Sequence, residues 1–95
     1  MSYNVIPIER FKKETKRLAK KYASLKSELA ERNNELTRNP EIGTPLGNNA
    51  YKIRLGMRSK GKGKSGGARV ITYLITEDKE VYLLTIFDKF RIRYY

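Results

Sequence analysis

The sequence predicts an α+β domain: an N-terminal strand, a helical hairpin and then an antiparallel sheet. Three observations carry this. An apolar stripe at helical spacing runs through residues 9–38, a period-two alternation begins at Tyr51, and two apolar runs of strand length follow at residues 69–76 and 81–88. The chain has 95 residues, enough for one domain (1–95) with a modest core; a chain of this size buries roughly 60–65% of the surface it exposes when unfolded.

Residues 3–8 begin the chain's order with the β-prone Tyr3, Val5 and Ile6. Pro7 cannot donate to a ladder, so this strand ends there or lies at a sheet edge. In residues 9–38, Phe11, Thr15, Leu18, Tyr22, Leu25, Leu29 and Leu36 recur at spacings of 4, 3, 4, 3, 4 and 7 and form one stripe. Lys12, Lys13, Lys16, Lys20, Lys26 and Arg32 fall on the opposite face. The ordinary reading of that face is solvated surface; the other is a second surface for phosphate or a protein partner. Ser24 is suited to cap a second helix, which would break the segment near residues 22–23. Periodicity alone leaves one long helix and a hairpin of two both open. Asn39-Pro40 stops the pattern.

Residues 41–49 read as a loop, because Gly43, Pro45, Gly47, Asn48 and Asn49 are turn formers. Residues 51–55 then alternate, with Tyr51, Ile53 and Leu55 on one face and Lys52 and Arg54 on the other. After a glycine–lysine loop, residues 69–76 and 81–88 form strands joined by a polar hairpin at 77–80. Both are apolar on both faces, as expected of central strands covered on both sides. Arg69 opens the first of them and shares a face with Ile71 and Tyr73. Beyond Asp88 the alternation continues, with Lys89, Arg91 and Arg93 against Phe90, Ile92 and Tyr94. The last strand is therefore expected to run on, with a C-terminal helix absent; a frayed end is the alternative.

Charge is the strongest global signal: 21 Lys+Arg against 10 Asp+Glu give a net +11. That balance favours an anionic partner such as nucleic acid. No apolar run approaches the ~20 residues of a membrane span, and the first residues lack the pattern of a secretory signal, so a cytoplasmic protein with no membrane partner is expected. With no cysteine and no histidine, the thiolate nucleophile, the usual near-neutral base and the Cys/His zinc patterns are all missing. We expect no cofactor and no metal ligand set.

The cations concentrate in residues 50–69: Lys52, Arg54, Arg58, Lys60, Lys62, Lys64 and Arg69, with five glycines among them and no acidic residue. The run Gly63-Lys64-Ser65 invites comparison with a nucleotide-binding P-loop, but Arg58 stands where its first glycine belongs, and this loop joins two strands. A fixed trio, Lys52, Arg54 and Arg69, beside a cationic loop suits a phosphodiester backbone. No recognition helix follows a turn, so base reading in a DNA groove is not expected. RNA chemistry fits these residue types. The 2′-hydroxyl attacks the adjacent phosphate once a base takes its proton, and lysine and arginine stabilise the charge that builds up. A positive field lowers the pKa of a lysine or tyrosine base within it.

Four segments carry a resemblance: Gly43-Thr44-Pro45-Leu46-Gly47, Tyr51-Lys52-Ile53-Arg54, the run from Gly63 to Tyr73, and Leu83-Leu84-x-Ile86-Phe87-x-Lys89. Together they resemble the RelE/ParE superfamily of toxins, nearest its HigB-like branch, over about residues 1–89. The resemblance implies a ribosome-dependent mRNA endonuclease of a bacterial type II toxin–antitoxin pair. Its partners would be mRNA on the ribosome and a cognate antitoxin, the toxin being a monomer within a hetero-oligomer. Lys52, Arg54 and Arg69 match residues that hold and polarise the scissile phosphate, and Lys64 and Lys89 match positions that are usually basic. Arg58, Lys60, Lys62, Arg91 and Arg93 join them as expected RNA contacts. The family's C-terminal catalytic segment is replaced here by Phe90-Arg91-Ile92-Arg93-Tyr94-Tyr95. Tyr94 or Tyr95 is the candidate substitute; the alternative is a catalytically impaired RNA- or ribosome-binding relic. The superfamily also contains inhibitors of DNA gyrase, and a shared fold does not separate these functions; the Lys/Arg trio favours RNA.

Overall fold

The computed structural model describes residues 2–56 and 67–88. The elements run β1 (Asn4–Pro7), α1 (Glu9–Lys21), α2 (Leu25–Arg38), β2 (Thr44–Gly47), β3 (Ala50–Leu55), β4 (Ala68–Ile75) and β5 (Glu80–Asp88). The five strands form one sheet in the order β1-β5-β4-β3-β2. Strands β2 to β5 are an antiparallel meander, and β1 adds at the outer side of β5 in parallel, Val5 opposite Val81 and Pro7 opposite Leu83. Pro7 is thus tolerated because β1 is an edge strand with one neighbour.

The helical segment does break. Tyr22 is extended (φ −126°, ψ 106°) and ends α1, while Ser24 stands at the N-cap of α2. Its part in the break differs from expectation: no hydroxyl cap bond forms there, and its carbonyl instead accepts from Glu28 N–H and Ser27 Oγ. The stripe packs as its spacing requires, with Phe11, Leu18, Leu25, Leu29 and Leu36 all buried against Ile53, Leu55, Val70, Leu83 and Ile86 of the sheet. Both helices cover this one face. Tyr22 Oη donates to Asp88 Oδ2 at 2.7 Å, tying the interhelical corner to the end of β5.

Two expectations change. Residues 44–47 are a strand, because Asn48 and Asn49 both take positive φ (54° and 68°) and form a two-residue turn that folds the segment back on β3. The pairing slips between Pro45 and Gly47. Strands β4 and β5 are central in order, yet among the described residues the helices cover one face only: Val70, Thr72 and Leu74 are buried there, whereas on the other face Ile71 and Ile75 are half-buried and Tyr73 is 37% exposed, with Arg69 at the head of β4 the buried exception. The course of the chain past Asp88 lies outside the described residues.

Candidate nucleic-acid interface

The uncovered face carries the cations. On β3, alternation sends Ile53 and Leu55 into the core and leaves Lys52 and Arg54 opposite. The β3–β4 register places Arg54 directly across from Arg69 and Lys52 across from Ile71. Cross-strand partners have Cβ atoms about 4.5–5.5 Å apart, so two guanidinium-bearing side chains start from neighbouring points. Lys52 begins about 7 Å further along β3, two strand residues away.

The two arginines are held differently. Arg54 is exposed, but Arg69 is only 8% exposed and donates from Nη1 to the Ala68 carbonyl at 3.1 Å. Phe87 of β5 is its other cross-strand neighbour. Among the described residues no carboxylate lies within ion-pair distance of Lys52, Arg54 or Arg69. Like charges directly opposite one another cost stability, and an anion between them removes that cost.

Two glycines set the spacing of this platform. A Cβ on Gly67 would sit 1.9 Å from the Leu55 carbonyl oxygen, so only glycine lets the ends of β3 and β4 close beside the arginine pair. Gly43 has φ +104°, and a Cβ there would lie 2.6 Å from the Lys52 carbonyl oxygen. Next to it a groove of about 380 Å³ runs between α2 and β3, with Arg32, Glu35, Thr44, Lys52 and Arg54 in its walls. Arg32 pairs with Glu35, and its Nε has no partner. A larger groove of about 710 Å³ lies on the helical side, where Lys12, Lys16, Lys20 and Lys26 rim a floor that includes Phe11 and Leu29. It is separate from the trio.

Sequence reading missed the side chains that lock this platform to the helices. Glu14 Oε1 accepts from Thr85 Oγ1 at 2.6 Å and from Ile86 N–H at 3.1 Å, and its Oε2 accepts from Arg10 Nε at 3.1 Å. Burial pushes its pKa up, but these hydrogen bonds and the Arg10 charge outweigh burial and hold it below the usual carboxylate value. Tyr82 shifts upward, chiefly because its hydroxyl donates to Glu80. Glu14 lies just beside the apolar stripe and Asp88 at the end of an apolar strand; neither position signals a partner about 70 residues away in sequence. Of the expected site residues, Lys52, Arg54 and Arg69 come together. Arg58, Lys60, Lys62, Lys64, Lys89, Arg91, Arg93, Tyr94 and Tyr95 lie outside the described residues.

No family profile matches the sequence. Solved structures do match it. A mutant of Escherichia coli toxin RelE in the free state superposes with a TM-score of 0.70 at 23% identity, over 93% of this chain and 84% of that one. The fold is that of RelE. The intact E. coli RelBE toxin–antitoxin complex matches with a TM-score of 0.70 at 22% identity, over 92% of this chain and 96% of that chain. The RelE mutant bound to a RelB antitoxin peptide matches with a TM-score of 0.69 at 24% identity, over 90% of this chain and 82% of that one. At such identities the RelE likeness is one of geometry: the N-terminal strand, the helical hairpin and the mixed sheet in the same arrangement. Among the described residues no helix is long and apolar enough to cross a membrane.

Proposed function

We propose that this protein is the toxin of a type II toxin–antitoxin pair, a cytoplasmic single-domain endoribonuclease that cuts mRNA on the ribosome without a metal. The observation that carries the reading is the Arg54–Arg69 pair with Lys52 beside it on the uncovered sheet face. In this reading the trio grips the scissile phosphate. Arg69, buried and held by the Ala68 carbonyl, supplies charge already in place as the phosphate gains negative charge, which is where a preorganised donor acts most strongly. Tyr94 or Tyr95, or Lys52 in its uncharged form with the two arginines left to grip the phosphate, takes the 2′-hydroxyl proton. The 2′-oxygen bonds to phosphorus as the bond to the 5′-oxygen breaks, and the departing 5′-oxygen takes up a proton from water or the protonated base, leaving a 2′,3′-cyclic phosphate and a 5′-hydroxyl end. The remaining cations of the loop and tail hold flanking phosphates. The RelE fold, and RelE-like neighbours solved with antitoxin, support the toxin assignment and a cognate antitoxin as partner.

Expression in growing bacteria with mapping of mRNA 5′ ends tests this. Cuts within translated frames are expected. Growth arrest with intact mRNA would overturn the endonuclease reading, and damaged DNA alongside it would point to gyrase. Removal of Tyr94-Tyr95 should abolish cleavage and leave RNA affinity nearly unchanged if a terminal tyrosine is the base.

A further inference from the structure

Tyr73 is out of place for a core residue. It sits on β4, the middle strand, yet it is one of two large apolar side chains exposed among the described residues; the other, Leu46, lies on the edge strand β2. Its cross-strand neighbours are Ala50 on β3 and Tyr82 on β5. Ala50 is too small to cover the ring on one side. Tyr82 flanks it on the other, with its hydroxyl anchored to Glu80 at 2.8 Å.

The same face orders its chemistry along the strands. Arg54 and Arg69 form one row, Lys52 and Ile71 the next, and Ala50, Tyr73 and Tyr82 the row after that. Tyr73 therefore begins about 7 Å from the Lys52 row and about 13 Å from the arginine row. Cations at one end, an open aromatic ring beside them and Glu80 beyond it make a graded surface. Phosphates are drawn to the arginine end and repelled at the Glu80 end, while a flat, uncharged group is accommodated between.

We propose that Tyr73, flanked by Tyr82, is a stacking platform for a base of single-stranded RNA whose backbone is held by Lys52, Arg54 and Arg69. This rests on the RNA-binding part of the function proposed above, and adds that the substrate's unpaired base packs on a fixed ring. Joined phosphate and planar base in one repeating unit match cations and aromatic side by side, and stacking is tolerant of which base is present. A duplex would hide its base faces from the ring.

Fluorescence anisotropy with a short labelled single-stranded RNA tests it. Tyr73→Ala should weaken binding about 10-fold, the effect of losing one stacked base, whereas Tyr73→Phe and Tyr73→Trp should bind like the parent. Inorganic polyphosphate, which has charge and no bases, should bind Tyr73→Ala and the parent equally. The proposal is overturned if Tyr73→Ala binds RNA as the parent does, if Phe fails to restore binding in a variant with parental melting temperature, or if polyphosphate suffers the same loss. Binding is read without cleavage, so the two readings separate. A Tyr73 effect without mRNA cuts leaves the platform standing and removes the endonuclease; cuts without a Tyr73 effect do the reverse.

Discussion

Arg54 and Leu55 are adjacent on β3, and one is exposed while the other is fully buried. The same division runs across the sheet. On the helix-covered face, Leu55, Val70 and Ile86 exclude water and close around one another; on the other, Arg54 is paired across the strands with Arg69, and like charges directly opposite one another cost stability. Two faces of one strand pair thus answer to different demands, and substitutions one residue apart should have effects of different kinds.

The largest expected effect is on the covered face. Leu55→Ala should cost about 3 kcal/mol in urea unfolding, through lost burial and the cavity left behind, while the folded fraction keeps its RNA affinity. A loss under about 1 kcal/mol would mean that the core tolerates a void there. On the open face, Arg69→Ala should reduce cleavage by about 10²-fold and cost about 1 kcal/mol in unfolding through its lost hydrogen bond to the Ala68 carbonyl, and Arg69→Lys should restore only part of the cleavage, since lysine lacks the planar fork that grips two phosphate oxygens. Equal and small effects at Arg69 and at a loop position such as Lys60 would erase the distinction between a positioned and a merely attracting cation.

Glu14 sharpens the contrast from the side. Its folded pKa is depressed below the usual glutamate value, so its contribution is fully present above the unfolded pKa and is lost as pH falls through the folded pKa. Glu14→Gln should cost about 1 kcal/mol at neutral pH. The gap between the two proteins should narrow when the urea midpoints are repeated below pH 4.5. A gap that stays constant with pH would show that shape, and not charge, matters at this position. The smallest effect is the most diagnostic. Without RNA, Arg54→Ala should leave stability unchanged or raise it by up to about 0.5 kcal/mol, because a like-charge pair is relieved. It should also make the log–log salt slope of RNA binding shallower by about 0.7, the contribution of one phosphate contact on a single strand.

Much of the frame was legible because its period is strong. The Phe11-to-Leu36 stripe and the Lys52/Arg54 alternation each repeat at the interval that their element dictates, and both hold in the structure. What joins them was not legible. A two-residue turn fixes register by its own chemistry, but 12 residues separate Leu55 from Ala68, so nothing local announces that Arg54 meets Arg69. Strand β2 was hidden because Gly43, Pro45 and Gly47 are turn formers by composition, while the turn that matters is Asn48-Asn49 just after them. The open face was hidden because Ile71, Tyr73 and Ile75 are apolar; sequence reports what a side chain is made of, and only packing reports whether anything covers it.

The Glu14 carboxylate has a further consequence, at the margin of the sheet. Strand β1 stops opposite Leu83, so from there β5 would offer bare peptide groups to any passing extended chain. Glu14 occupies the Ile86 N–H at that place and brings a negative charge with it. At the opposite margin, β2 is four residues long, includes a proline with no N–H to give and slips register against β3. Among the described residues, the exposed part of β5 and the whole of β2 are therefore poor templates for another copy of the same strand, while the cationic side of the sheet faces away from both.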